Sequence, residues 1–407
     1  MPDNPNCLLV ANIFAPIHGG SANVYASLCR LAPKGSMVVL ATRQNYDLNE
    51  PVAGWQEHDR QCGYPVERLE LLRSPSLPPP ANKLVSVYRR LAIDLPIAWR
   101  VLRKTLDMIK RYRIGIICIG ELNSMSWLGE LARKLTGVRL MYYIHGEEIT
   151  TQFQAGSFGR RRDVRLRRAD AIVAVSRFTR QTLIDMGLPA ERIHLLENAV
   201  DTTRFYPAPT SANFLERWGV QNKRVVVSIG RLIARKGFDR SIEAWPAVLA
   251  RHPDAHLLIV GNGPQRPELE QLIARHGVQH AVTLTGPVSD DDLLAAYRSG
   301  EFFMMANRTL PDGDTEGFGL VFLEANACAK AVIGGRAGGA VDAIKHEETG
   351  LLIDSDEPSN IAAAVIRMLD DPALRQHLEK QGLENALANS WTTRAQEFNR
   401  LCQSLVK

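Results

Sequence analysis

The chain has 407 residues, enough for two domains that each bury a core. With 45% hydrophobic and 23% charged residues it reads as a folded globular protein, and a net charge of +5 is too mild to imply nucleic acid while suiting anionic small molecules or an acidic membrane surface. The six scattered cysteines (Cys7, Cys29, Cys62, Cys118, Cys328 and Cys402) form no C-x-x-C pair, so neither a metal site nor a disulfide framework is expected, and reduced thiols fit a cytoplasmic protein.

Along the chain, short apolar runs alternate with helical patterns. Cys7–Phe14 is of strand length, too short for a signal-peptide core, and no run of about 18 uncharged apolar residues follows anywhere. Met37–Thr42, Ile114–Ile119, Leu140–Ile144 and Ala171–Val175 are further buried strands of a first half. A second set comprises Val225–Ile229, Leu257–Val260, Val282–Thr285, Phe302–Met305 and Ala331–Ile333, with helices over Arg240–Ala250, Pro267–His276 and Asp291–Arg298 between them. This alternation predicts an α/β protein of two doubly wound parallel sheets. Residues 1–206 form the first domain, 207–389 the second, and a last helix over 390–407 returns to the first. Pro75–Pro80 reads as a surface loop of polyproline character.

Ligands of such sheets sit beyond the C-terminal ends of strands, so motifs that follow strands carry the functional reading. His18-Gly19-Gly20 follows the first strand. His145-Gly146-Glu147 follows Leu140–Ile144, where a histidine faces the crevice or serves as an ordinary structural residue. Gly230-Arg231-Leu232 with Lys236-Gly237 follows the first strand of the second half, and an Arg fork beside a compact Lys can converge on one diphosphate. Gly261-Asn262-Gly263 and Gly338-Gly339 follow later strands as tight turns. The run Glu316-Gly317-Phe318-Gly319-Leu320, with Glu324 two turns further on, reads as a loop feeding a helix N-terminus, which suits a diphosphate. Taken alone, two glutamates eight apart describe a surface helix more readily than a site.

Two basic stretches have no place in this scheme. Arg160, Arg161, Arg162, Arg165, Arg167 and Arg168 put six arginines in nine residues, a solvated helix face or a surface for an anionic acceptor or membrane. Trp99–Arg113 interleaves basic and apolar residues, as a membrane-facing helix or a core helix would.

The ordered set resembles the retaining glycosyltransferases of the GT-B fold, in the large family four of nucleotide-sugar-dependent enzymes, from about Ala11 to Trp391. The resemblance implies two Rossmann-like domains facing across a deep crevice. It implies that Arg231 and Lys236 hold the donor diphosphate, Glu324 the ribose, and Glu316 the hexose near its 3-hydroxyl. Gly20 then packs over phosphate and acceptor, and His145 lies beneath the transferred sugar at its 6-hydroxyl. Gly230, Gly261, Gly317, Phe318, Gly319 and Leu320 complete the expected donor site. Ser390-Trp391 resembles the crossing of the last helix back onto the first domain. The segments 231–237, 307–315 and 338–343 resemble mannosyltransferases acting on phosphatidylinositol mannosides, although Val341 stands where that subgroup has Pro and Asp342 where the wider family has Glu.

The expected activity is retaining, metal-independent transfer of a hexose to a hydroxyl of a lipid-linked or polysaccharide-precursor acceptor. GDP-mannose is the preferred donor, with a UDP-sugar as the alternative, and no further cofactor is expected. A nucleotide-sugar 2-epimerase of the same fold and a non-catalytic nucleotide-sugar-binding module are the competing readings. Peripheral contact with the cytoplasmic face of an anionic membrane is a further expectation.

Overall fold

The computed structural model describes residues 6–17, 19–46, 49–75, 81–151 and 157–406, with side chains from 162 onward in the last segment. His18, most of Pro75–Pro80 and the side chains of Arg160 and Arg161 therefore lie outside the described residues.

The first sheet contains β1 (Asn6–Ala11), β2 (Met37–Thr42), β3 (Val66–Leu69), β4 (Ile114–Ile119), β5 (Arg139–Ile144), β6 (Ala171–Ala174) and β7 (Ile193–Leu195), in spatial order β3-β2-β1-β4-β5-β6-β7. The second contains β8 (Arg224–Ile229), β9 (Ala255–Val260), β10 (Val282–Gly286), β11 (Phe302–Met305), β12 (Ala331–Gly335) and β13 (Gly350–Ile353), ordered β10-β9-β8-β11-β12-β13. All pairings in both sheets are parallel, with Leu9 opposite Val39 on one side and Cys118 on the other. A parallel sheet is covered on both faces, which is why its central strands are near-continuous Val, Ile and Leu. The order reverses at β1/β4 and at β8/β11, and these switch points open towards each other.

Three strands escaped the sequence pattern, β3, β7 and β13, and all three are sheet edges. In β3 the alternation is broken by Glu67 and Arg68, the latter buried against Asp59 at 2.8 Å, so charge conceals a strand whose charges are paired.

Three apolar cores follow from this layout. One covers the outer face of the first sheet with Val101, Leu102, Met125 and Leu128, and another covers the outer face of the second with Ile242, Trp245, Val365 and Met368. The third is shared: it runs from Cys7, Val24 and Tyr143 through Val200 and Phe205 to Val227, Phe303 and Phe322. The helix Leu95–Arg111 places Val101, Leu102, Met108 and Ile109 in the first outer core, so the apolar side of the 99–113 stretch is core from Val101 onward, while Trp99 is exposed. All six cysteines are free thiols. Among the described residues no helix is long and apolar enough to cross a membrane.

The chain passes between the sheets through Asn198–Phe205 and again at Asn389–Ser390, where Val200 donates to the Asn389 carbonyl at 3.3 Å. The final helix, Trp391–Val406, then packs on the helix Gly20–Leu31, with Trp391, Phe398 and Cys402 in the shared core. Phe398→Ala should lower unfolding free energy by about 3–5 kcal/mol, read from the urea midpoint. An unchanged midpoint would mean that this helix contributes nothing to the shared core.

Candidate functional site

β5 ends at Ile144, and the chain turns through His145 and Gly146 into the short helix Glu147–Thr150. From the other domain, the segment after β11 returns as Glu316–Gly319 and starts the helix Leu320–Ala327. These two turns meet backbone against backbone. A Cβ on Gly317 would lie 1.8 Å from the His145 carbonyl oxygen, and one on Gly146 would lie 2.9 Å from Gly317 Cα. No residue with a side chain fits at 317 without parting the domains. Gly319 caps the helix with φ 88°, a left-handed conformation that favours glycine.

The remaining glycines of the site brace loops. Gly338 and Gly339 pack under Glu316, and the Gly339 N–H donates to the Glu316 carbonyl at 2.7 Å. Gly230 and Gly261 pack on each other at the ends of β8 and β9. A Cβ on Gly20, at the start of its helix, would lie 3.8 Å from the Leu320 side chain across the crevice, so two helix N-termini approach each other there.

Charges converge on the same place. Lys236 Nζ sits 2.5 Å from Glu316 Oε2, both largely buried. Burial alone would raise the Glu316 carboxyl, but the charges of Lys236 and Arg235, with the Phe318 N–H, hold it below the usual carboxylate range. Arg235 bridges the domains, pairing with Asp314 at 3.0 Å and with Glu147 of the first domain at 2.9 Å. Burial works against its charge, and the carboxylates of Glu147, Glu316 and Asp314 outweigh it. Arg231 is exposed on the same loop.

His145 Nε2 lies 2.7 Å from the Tyr25 hydroxyl, which itself donates to the Gly120 carbonyl at 2.8 Å. A tyrosine hydroxyl has one proton, so Tyr25 accepts from His145 and the imidazole carries its hydrogen on Nε2. That leaves Nδ1 as the acceptor. Burial lowers the His145 pKa to about 4, and the ring is neutral at physiological pH. Beneath it, Glu148 Oε2 accepts from the backbone N–H groups of His145 at 3.1 Å and Gly146 at 2.9 Å. Burial first, then the charge of Glu147, pushes the Glu148 carboxyl up to about 8 against the pull of these donors.

Glu324 lies along the helix from Glu316 and accepts from the Tyr297 hydroxyl at 2.6 Å. Burial raises its carboxyl above the usual value, although Tyr297, Arg204 and Lys236 oppose the shift. Glu324 and Leu320 line an interdomain cavity of about 430 Å³, walled by Asn23 and Arg30 on one side and Arg204 and Asp290 on the other. The structure thus brings together Gly20, His145, Lys236, Glu316, Gly317, Phe318, Gly319 and Leu320, with Glu324 at the cavity beyond. Arg162 reaches only the backbone behind the His145 turn, donating to the Glu148 carbonyl at 3.1 Å, and Arg165 donates to Ser126.

Three contributors were not assigned from the sequence: Tyr25, Glu148 and Arg235. Tyr25 acts from over 100 residues away, which no local pattern encodes. Asp342 accepts from the Phe178 N–H at 2.9 Å, another link between domains. Glu148 and Arg235 do adjoin the recognised motifs, and their charge beside a glycine turn was the available signal.

Two sheets of this kind facing across a crevice define the GT-B fold of nucleotide-sugar transferases, and comparison with solved structures agrees. The structure of Anabaena HepE in complex with UDP and glucose superposes with a TM-score of 0.78 at 20% identity, over 98% of this chain and all of that one. Sucrose-phosphate synthase from Thermosynechococcus elongatus superposes with a TM-score of 0.76 at 21% identity, over 98% of this chain and 99% of its own. Residues 213–385 match the family model "Glycosyl transferases group 1", and residues 19–204 match "Glycosyltransferase Family 4". A GDP-mannose-dependent alpha-(1-6)-phosphatidylinositol monomannoside mannosyltransferase of Mycolicibacterium smegmatis is 34% identical over 72% of this chain and 78% of its own length. A mannosyltransferase of Corynebacterium glutamicum, named for the monoacylated form of that lipid, is 27% identical over 98% and 97%. The chain belongs to glycosyltransferase family 4, and it is a glycosyltransferase.

Glu148 makes the stability of this site depend on pH. Its folded pKa, about 8, lies above its ordinary 4.5, so its contribution is complete below 4.5 and is lost as pH rises through 8. Glu148→Gln should flatten the decline of thermal midpoint across that window while keeping an acceptor for the two N–H groups. Glu148→Ala, which leaves them unpaired, should cost about 1–3 kcal/mol. Equal midpoints for all three proteins at every pH would contradict the assignment.

Proposed function

We propose that this glycosyltransferase moves a hexose from a nucleotide diphosphate sugar to a hydroxyl of a lipid-linked or polysaccharide-precursor acceptor, with retention of configuration and without a metal. The donor proposed first is GDP-mannose, supported by the names of the relatives, which are GDP-mannose-dependent mannosyltransferases. A UDP-sugar is the second candidate, because a structure of the same fold was solved with UDP and glucose. The observation that carries the reading is the Lys236–Glu316 pair beside the N-terminus of the helix Leu320–Ala327, closed over by the His145 turn of the other domain.

On this reading the diphosphate lies at that N-terminus, where unpaired N–H groups and the helix dipole favour negative charge. Lys236 and Arg231 neutralise the leaving group, and Lys236 exchanges Glu316 for phosphate. Glu316, kept ionised, is then free to accept from hydroxyls of the hexose. Neutral His145 offers its Nδ1 lone pair to a sugar hydroxyl such as the 6-hydroxyl. Glu324 takes the ribose, and the cavity beside it has room for the base. The acceptor hydroxyl attacks C1 on the face that the diphosphate leaves: the new C1–O bond forms as the old one breaks, and the acceptor's proton passes to a phosphate oxygen. The reaction would take place on the cytoplasmic side of the membrane, where nucleotide sugars are substrates.

Lys236→Ala and Glu316→Gln should each lower kcat by about 10²–10³-fold, the scale of about 2.7–4 kcal/mol for a preorganised charge-stabilising group. The assay is transfer of labelled mannose from GDP-mannose, with the anomeric configuration of the product read by NMR. An inverted product, or full activity in both variants, would defeat the mechanism. Conversion of the sugar with no acceptor present would favour an epimerase instead.

A further inference from the structure

The segment 83–111 is one helical run, made of Lys83–Arg89, a π-helical turn over Arg90–Asp94, and Leu95–Arg111. The Asn82 side chain caps its start, accepting from the Val85 N–H at 2.9 Å. Its second half is an ordinary core helix. Its first half is not: between Lys83 and Asp94 no residue is buried. A helix this short gains little from its own hydrogen bonds in water and is normally held by packing an apolar face.

That face exists and points outward. Leu84 (81% exposed), Tyr88 (68%), Leu91 (60%), Leu95 (53%) and Trp99 (67%) recur at three- or four-residue intervals, so they share one side of the helix. Val87 widens the stripe. Thirteen large apolar residues are exposed among the described residues; on an ordinary surface they would be scattered, and here five of them form a row. Basic residues flank it: Lys83, Arg90, Arg100 and Arg103 are exposed, and Asp94 is the one acid between 83 and 106. Asp94 is itself turned to the Ser74 hydroxyl.

A protein partner or a second copy of this chain would cover the apolar row, but neither explains a fringe of one charge sign. An interface of phospholipid does. Leucines and an indole enter the boundary between acyl chains and headgroups, while Lys and Arg remain at the level of the phosphates. We propose that residues 83–103 form a docking face for an anionic lipid bilayer, and that this face, not the arginine cluster at 160–168, holds the enzyme at the membrane. The arginines of that cluster with described side chains are engaged within the chain: Arg162, Arg165, Arg167 and Arg168 donate to Glu148, Ser126, Gly187 and Glu130. The proposal rests on the functional reading in one respect, that a lipid-linked acceptor gives the docking its purpose.

The test is co-sedimentation of the full chain with vesicles of phosphatidylcholine, with and without phosphatidylglycerol. The wild type should pellet with the anionic vesicles and be released in part by salt. Leu91→Ser combined with Trp99→Ser should weaken binding roughly 100-fold, the effect of withdrawing two buried apolar side chains. Arg90→Glu with Arg100→Glu should weaken binding only to vesicles that contain phosphatidylglycerol. Unchanged urea midpoints in both variants would show that the fold is kept. Failure of the wild type to bind, equal binding by both double variants, or a solution dimer that the Leu91/Trp99 variant dissociates would overturn the proposal. Intact vesicle binding with no transfer to any lipid acceptor would support the docking face and count against the functional reading alone.

Discussion

At the centre of the crevice, the Gly317 backbone lies against the carbonyl of His145, so close that a methyl group at 317 would fall 1.8 Å from that oxygen. This contact sets the groups of one domain against those of the other. It sets the N-terminus of the helix Leu320–Ala327, which belongs to the second sheet, against an imidazole that belongs to the first. It also brings Glu147 within 2.9 Å of Arg235, adding a charged link beside the steric one. Asp342, accepting from the Phe178 N–H, ties the same two layers from another side. On the proposed reading, in which the catalytic groups come from two domains, closure of the domains and assembly of the site are one event.

The electrostatics of the crevice have a common logic. Cations and carboxylates satisfy one another: Lys236 with Glu316, Arg235 with Asp314 and Glu147. A buried charge without a partner is expensive, so such pairs keep the site stable. On the proposed reading they also define an exchange, because a diphosphate would offer Lys236 more charge than one carboxylate does. His145 takes no part in this traffic. Held neutral by burial, with its tautomer set by Tyr25, it contributes a lone pair in a fixed direction. Glu148 below it acts through the backbone, as a brace on the turn that carries His145.

Much of this was legible in the sequence, and the reasons are physical. Central strands announce themselves because both faces are buried, as in the runs ending at Ile144 and Ile229. Edge strands such as Val66–Leu69 do not, since charges can stand within them. The glycines around Glu316 were readable as a demand for close approach, but not what approaches: they admit the neighbouring domain's backbone as well as any ligand. Tyr25 acts at long range and leaves no local signature, and Asp342 stood out in the sequence only by resemblance, not by what it holds. The apolar row from Leu84 to Trp99 was hidden for a different reason. Its spacing is that of a core helix, and only the structure distinguishes a face turned inward from one turned to solvent.

The measurement that bears most directly on this view is a crystal structure of the protein with GDP bound. The expected result places the β-phosphate within hydrogen-bonding distance of the N–H groups that open the helix at Leu320. Lys236 Nζ should have moved from Glu316 to phosphate, and the ribose hydroxyls should lie on Glu324. A nucleotide seated elsewhere, with the Lys236–Glu316 pair still closed, would contradict it.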